Sequence, residues 1–160
     1  MNIKSVKTRQ FAGIKNREIA LEDGLNLLVG KNESGKSTMI DLIYQMLYRD
    51  TNMKKRDRDA FNAKYMPSDA MGDVVDGTLV FTTADGEYLL QKKWGSVTGC
   101  ELETAAGSVI ANEDRIREII ASELSYGQGL YDDVVFPPRK ITKMWWNIFF
   151  RPWRKARKTN

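Results

Sequence analysis

The chain has 160 residues, 42% of them hydrophobic and 29% charged, a composition that suits one folded domain and argues against a disordered chain. One cysteine and no histidine exclude an internal disulfide, a cysteine metal cluster within the chain, His-based zinc sites and Ser-His-Asp triads. The net charge of +4 is unevenly spread: from Arg139 onward there are eight Lys/Arg and no Asp/Glu, so the residues before it are net acidic.

Taken in chain order, residues 2–10 and 17–22 read as two strands joined by a turn over Ala12–Asn16. Ile19 and Leu21 alternate with Glu18, Ala20 and Glu22 in the second. Asp23-Gly24 is a hairpin-type turn signal. Leu25-Asn26-Leu27-Leu28-Val29 then reads as a short strand buried on both faces. The spacing of Met39, Ile40, Ile43, Met46 and Leu47 predicts a helix from about Gly35 to Tyr48. The stretch from Arg49 to Ala70 is polar and charged and is expected to be a long loop. Gly77 to Trp94 predicts a hairpin around an Asp85-Gly86 turn. A weaker hairpin is expected over Cys100–Thr104 and Ser108–Ile110. Asn112 can cap a helix opened by Glu113 and Asp114, with Ile116, Ile119, Ile120 and Leu124 as its buried stripe. The tail carries three of the four tryptophans, Trp145, Trp146 and Trp153, among its basic residues. Such a composition shift marks a boundary, placed here between a domain at 1–136 and a tail at 137–160.

Between the buried strand and the first helix lies Gly30-Lys31-Asn32-Glu33-Ser34-Gly35-Lys36-Ser37, which fits G-x-x-x-x-G-K-[ST] at every fixed position. Small residues let successive backbone N–H groups turn inward around phosphates, and the following helix offers its positive end. Gly30, Asn32, Glu33, Ser34, Gly35, Lys36, Ser37 and Thr38 are the nucleotide-binding candidates. Lys36, the catalytic candidate, would neutralise the β- and γ-phosphates, and the Ser37 hydroxyl would ligate Mg²⁺. The bland alternative is a glycine-rich turn with a solvated lysine. No Asn-Lys-x-Asp guanine-reading motif follows.

The two-strand prelude with Phe11-Ala-Gly-Ile-Lys-Asn, the Asp23-Gly24-Leu25-Asn26 approach and the wording Asn32-Glu33-Ser34-Gly35-Lys36-Ser37-Thr38 resemble the SMC/RecF/SbcC branch of AAA/ABC-type ATPases. The SbcC/Rad-fifty type and the YhaN-like proteins are the most similar, on these residues and on Met46-Leu47-Tyr48, Lys64-Tyr65-Met66-Pro67 and Lys92-Lys93-Trp94. The resemblance implies an α/β fold. It would be the N-terminal half of an ABC/SMC-type head, with a mixed sheet, a P-loop helix and antiparallel hairpins at one edge. It further implies ATP and Mg²⁺ as ligands, DNA double-strand-break repair or recombination as the process, and a head-to-head dimer. A complementary C-terminal lobe and a nuclease subunit are the implied partners.

Other family parts are not found in the sequence. Asp132-Asp133 lacks the apolar run of a Walker B strand. Leu124-Ser125-Tyr126-Gly127-Gln128 is one residue from an ABC signature, which leaves an ABC transporter fragment as an alternative. Val134-Val135-Phe136-Pro137 resembles the approach to a Q-loop, yet no glutamine follows Gln128. A truncated or out-of-frame ending from about residue 137, with little hydrolysis by the chain alone, is the expectation. The basic, tryptophan-rich tail leaves open a nucleic-acid or membrane-surface binder. The first residues lack a secretory h-region and no stretch reaches the ~20 apolar residues of a membrane span, so a cytoplasmic location is expected.

Overall fold

Period-two alternation builds the sheet. In β3 (Val74–Thr83), Val75, Gly77, Leu79 and Phe81 face inward, and in β4 (Gly86–Gly95) Leu90, Lys92 and Trp94 do the same. The computed structural model describes residues 1–67 and 72–124. β1 (Asn2–Phe11) adds Val6, Thr8 and Phe11 to the buried set, and β5 (Gly99–Glu103) adds Cys100 and Leu102. With β2 (Ile14–Ala20) and β6 (Val109–Ile110), they form a six-stranded sheet in the order β2-β1-β3-β4-β5-β6.

Three helices pack on the inner face. α1 (Lys36–Tyr48) lays Met39, Leu42, Met46 and Leu47 on β1, β3 and β4. It comes close because Gly77 has no side chain: a Cβ there would stand 2.4 Å from Met46 Sδ. α2 (Lys55–Tyr65) buries only Phe61 and Tyr65, whose rings meet Phe11, and Phe61 also meets Trp94 at 5.4 Å between centroids. α3 (Glu113–Glu123) buries Ile116 and Ile120 and is capped as the sequence predicts, with Asn112 Oδ1 accepting from Arg115 N–H at 2.9 Å.

Three expectations are corrected. Every neighbouring pair of strands is antiparallel among the described residues, so the sheet is not mixed. Residues 25–29 form no strand there. The Asn26 side chain closes a tight loop behind β2, donating to Glu22 O and Gly24 O while its Oδ1 accepts from Glu22 N–H. The chain thereby leaves the sheet, and Leu25, Leu27 and Val29 are 99%, 82% and 83% exposed. The Arg49–Ala70 stretch is not all loop but contains α2. Its run is rich in helix-favouring Lys, Arg and Ala, places Asp57 in the first turn and is free of Gly and Pro, and two aromatics at i, i+4 suffice to dock it.

Candidate functional site

The loop from Gly30 to Gly35 is shaped by backbone handedness. Glu33 has φ 65° and Gly35 φ 80°, with Ser34 between them outside the left-handed region. Such alternation turns consecutive N–H groups toward one concave side, an arrangement suited to anions. Gly35 is also the residue that caps α1, and no side chain caps that helix end. The first helical bond runs from Met39 N–H to Gly35 O, so the amides of the first turn are not used by the helix itself. No acidic residue stands in that turn, which leaves the positive end of the helix dipole uncancelled.

Lys36 turns back over this loop. Its Nζ donates to Gly30 O at 2.8 Å, to Lys31 O at 2.6 Å and to Ser34 Oγ at 3.3 Å. The ammonium therefore sits against the rim of the concave loop with no carboxylate among its partners in the described residues. Ser37 is exposed, and Thr38 is half-buried one position further along. The structure thus brings Ser34, Gly35, Lys36, Ser37 and Thr38 together with Gly30, while Asn32 and Glu33 lie exposed on the outer turn. The donor set, an amine, a hydroxyl and free amides, fits a phosphate chain with a divalent cation.

Neighbouring elements hold the loop in place. The β1–β2 turn at Ala12-Gly13 presents Ile14 to Gly35, where an added Cβ would meet Ile14 Cγ2 at 2.7 Å. That turn is tied to α2 by a bond from Ala12 N–H to Tyr65 O at 2.9 Å. α2 is tied in turn to α1: the Tyr65 hydroxyl donates to Asp41 Oδ2 at 3.0 Å and accepts from Gln45 Nε2 at 3.1 Å. Lys64 Nζ reaches the same Asp41 oxygen at 3.0 Å. Burial is the main reason the Tyr65 phenol is held above its ordinary value. These contacts come from the segment expected to be loop, so sequence reasoning gave them no role.

A second cluster closes the other end of α1. Lys92 is 4% exposed and donates to Arg49 O at 2.7 Å, with Glu113 Oε1 3.7 Å away. Trp94 Nε1 donates to Asp50 O at 3.1 Å, and Glu113 accepts from both N–H and Oγ1 of Thr51 at 2.8 and 2.9 Å. Burial pulls Lys92 below its ordinary value and pushes the Cys100 thiol up to about 11. The alternation of β4 carried the signal: Lys92 falls between Leu90 and Trp94 on the buried face.

The signature-like stretch at Ser125–Gln128, the Asp132-Asp133 pair, the Val134–Pro137 segment and the tail at 137–160 lie outside the described residues. No helix among the described residues is long and apolar enough to cross a membrane.

An antiparallel sheet with helices on one face, and a glycine-bounded loop feeding the uncapped end of α1, fit a lobe of the P-loop nucleoside triphosphatase class. The chain belongs to the AAA ATPase domain family, whose model matches residues 1–118. It is similar to DNA replication and repair protein RecF of Clostridium botulinum, at 30% identity over 64 residues, 40% of this chain and 18% of the relative. The RecF of Oenococcus oeni is 28% identical over 74 residues, covering 46% of this chain and 20% of that protein. For the RecF of Citrobacter koseri the figures are 39% over 46 residues, 29% and 13%. The chain thus spans about a fifth or less of the length of the curated relatives it matches.

Proposed function

We propose that this chain holds the phosphates of ATP with Mg²⁺ in the Gly30–Thr38 loop, as the nucleotide-binding lobe of an ATPase that serves DNA repair or recombination. The observation that carries the reading is the convergence at one place of the G-x-x-x-x-G-K-S spacing, the alternating handedness at residues 33–35 and an uncapped, acid-free helix end. In this reading the loop amides and the first turn of α1 cradle the phosphate oxygens. Gly30, Asn32, Glu33, Ser34 and Gly35 supply the loop backbone, with Thr38 behind it. Lys36 shifts its amine from the Gly30 and Lys31 carbonyls onto the β- and γ-phosphates, and Ser37 supplies the hydroxyl that would hold Mg²⁺. The cation, when bound, neutralises charge on the phosphate oxygens.

The DNA assignment rests on the RecF relatives and on family membership. The finer assignment to the SbcC/Rad-fifty or YhaN-like type, and to double-strand-break repair in the cytoplasm, rests on the motif wording alone. A complementary C-terminal lobe fits the exposed Leu25, Leu27 and Val29, because an apolar strand entering a P-loop is ordinarily buried on both faces. Head-to-head pairing of two such units, and a nuclease partner, belong to the same reading. The chain alone turns over little ATP, since its sequence offers no Walker B acid pair behind an apolar strand.

Isothermal titration of the purified chain with Mg-ATP tests this directly. Weak saturable binding that is lost in Lys36→Ala is the expected result. Binding unchanged by Lys36→Ala, or none at millimolar nucleotide in a folded wild-type chain, would overturn it.

A further inference from the structure

The helix that starts at the phosphate loop holds no Lys or Arg in its last turn, and its cap residue, Arg49, turns its guanidinium back to Gln45 Oε1 at 3.2 Å. A helix C-terminus carries partial negative charge and unsatisfied carbonyls, and a cation there is stabilising. Here a second cation, one that reaches the terminal carbonyl itself, comes from the sheet. Lys92 stands on the inner face of β4 beside Cys100 of β5, with its side chain 5% exposed. Its ammonium donates to the carbonyl of Arg49, the residue that caps the end of α1. A buried ammonium is costly unless its donors are used. An aliphatic residue would fill the strand position at lower cost, as Leu90 does two places before it.

The three residues that follow the helix are all fixed from the same side. Arg49 is held by Lys92, Asp50 by Trp94 and by Arg117 at 2.9 Å, and Thr51 by Glu113 through two bonds. β4 and α3 thereby clamp one end of α1, while the phosphate loop is its other end, about 20 Å away for 13 residues.

We propose that Lys92 is a positioning residue for the phosphate loop: by holding and charge-balancing the C-terminal end of α1, it fixes the pose of the helix whose other end receives the nucleotide. This rests on the assignment of the loop to nucleotide phosphates. It goes beyond that assignment by placing a determinant of affinity on a buried strand residue that touches no ligand. Tripolyphosphate with magnesium should feel Lys92 as ATP does, because the effect reaches the phosphates and not the base.

The test is calorimetric titration of the whole chain with Mg-ATP and with magnesium tripolyphosphate, in wild type, Lys92→Met, Lys92→Arg and Trp94→Phe. Methionine keeps the buried stem and removes the charge and the bond. Folded Lys92→Met should bind both probes roughly fivefold more weakly, the scale of one lost hydrogen bond, and Lys92→Arg should recover at least half of the loss. A folded Lys92→Met within twofold of wild type, or an arginine variant no better than methionine, overturns the proposal. If Lys92→Met does not fold, Trp94→Phe decides, since it deletes the bond to Asp50 and keeps a ring. Binding about twofold weaker supports the clamp, and unchanged binding overturns it. Absence of any wild-type binding would instead refute the phosphate assignment of the loop, whereas binding that needs Lys36 but ignores Lys92 refutes only this inference.

Discussion

At Gly35 two constraints coincide. Its φ of 80° belongs to the left-handed region, and the space where a Cβ would sit is taken by Ile14 Cγ2 at 2.7 Å. The motif spacing named this glycine from sequence, but the contact with Ile14 could not be read there. It joins a turn residue of the first hairpin to the loop across 21 positions of chain. Gly35→Ala should destabilise the fold by about 1–3 kcal/mol, combining the left-handed penalty with the overlap. Urea denaturation is the measurement. Adding Ile14→Ala should restore only the overlap share, and full restoration would show that backbone handedness contributes nothing. Glu33 is also left-handed, at φ 65°, and its strain is set against the anion-facing turn of the loop.

Legibility changes from element to element for reasons of period and partner. α1 was readable because five apolar residues recur at helical spacing, and the β3–β4 hairpin because its inward positions alternate without a break. Lys92 sits on that inward set, which shows that register, not polarity, decides which side a strand residue faces. α2 was missed because its buried set is two residues, too few for a period. Tertiary contacts to Phe11 and Trp94 anchor it. Phe61→Ala should therefore cost about 3 kcal/mol and detach α2 before the rest unfolds. Hydrogen exchange of residues 55–65 would show this as a separate, faster-opening unit, and a single cooperative loss would contradict it. Residues 25–29 failed in the opposite sense. Their pattern is that of a buried strand, but a strand needs a neighbour to pair with, and none of the described strands pairs with them.

For the whole molecule, the sheet carries all its described helices on one face and sends an exposed apolar segment directly into the phosphate loop. In the proposed reading a complementary lobe would cover the exposed segment, and the AAA ATPase domain family, whose model matches residues 1–118, spans the loop and its helix. What the sequence marked most directly was the position of the candidate site, because the glycines and Lys36 are tied to fixed spacings. What it conveyed poorly was the support behind them: the Ile14 contact, the Asp41–Tyr65–Lys64 bonds and the Lys92 clamp. These depend on chain segments 21 to 67 positions apart, which no local pattern records.

The most direct measurement of the central claim is backbone hydrogen exchange of the whole chain with and without Mg-ATP, read in wild type and in Lys36→Ala. The account predicts slower exchange confined to residues 30–38 and the start of α1 in wild type, and none in Lys36→Ala. Protection located elsewhere, or protection of the loop that survives loss of the Lys36 amine, would contradict it.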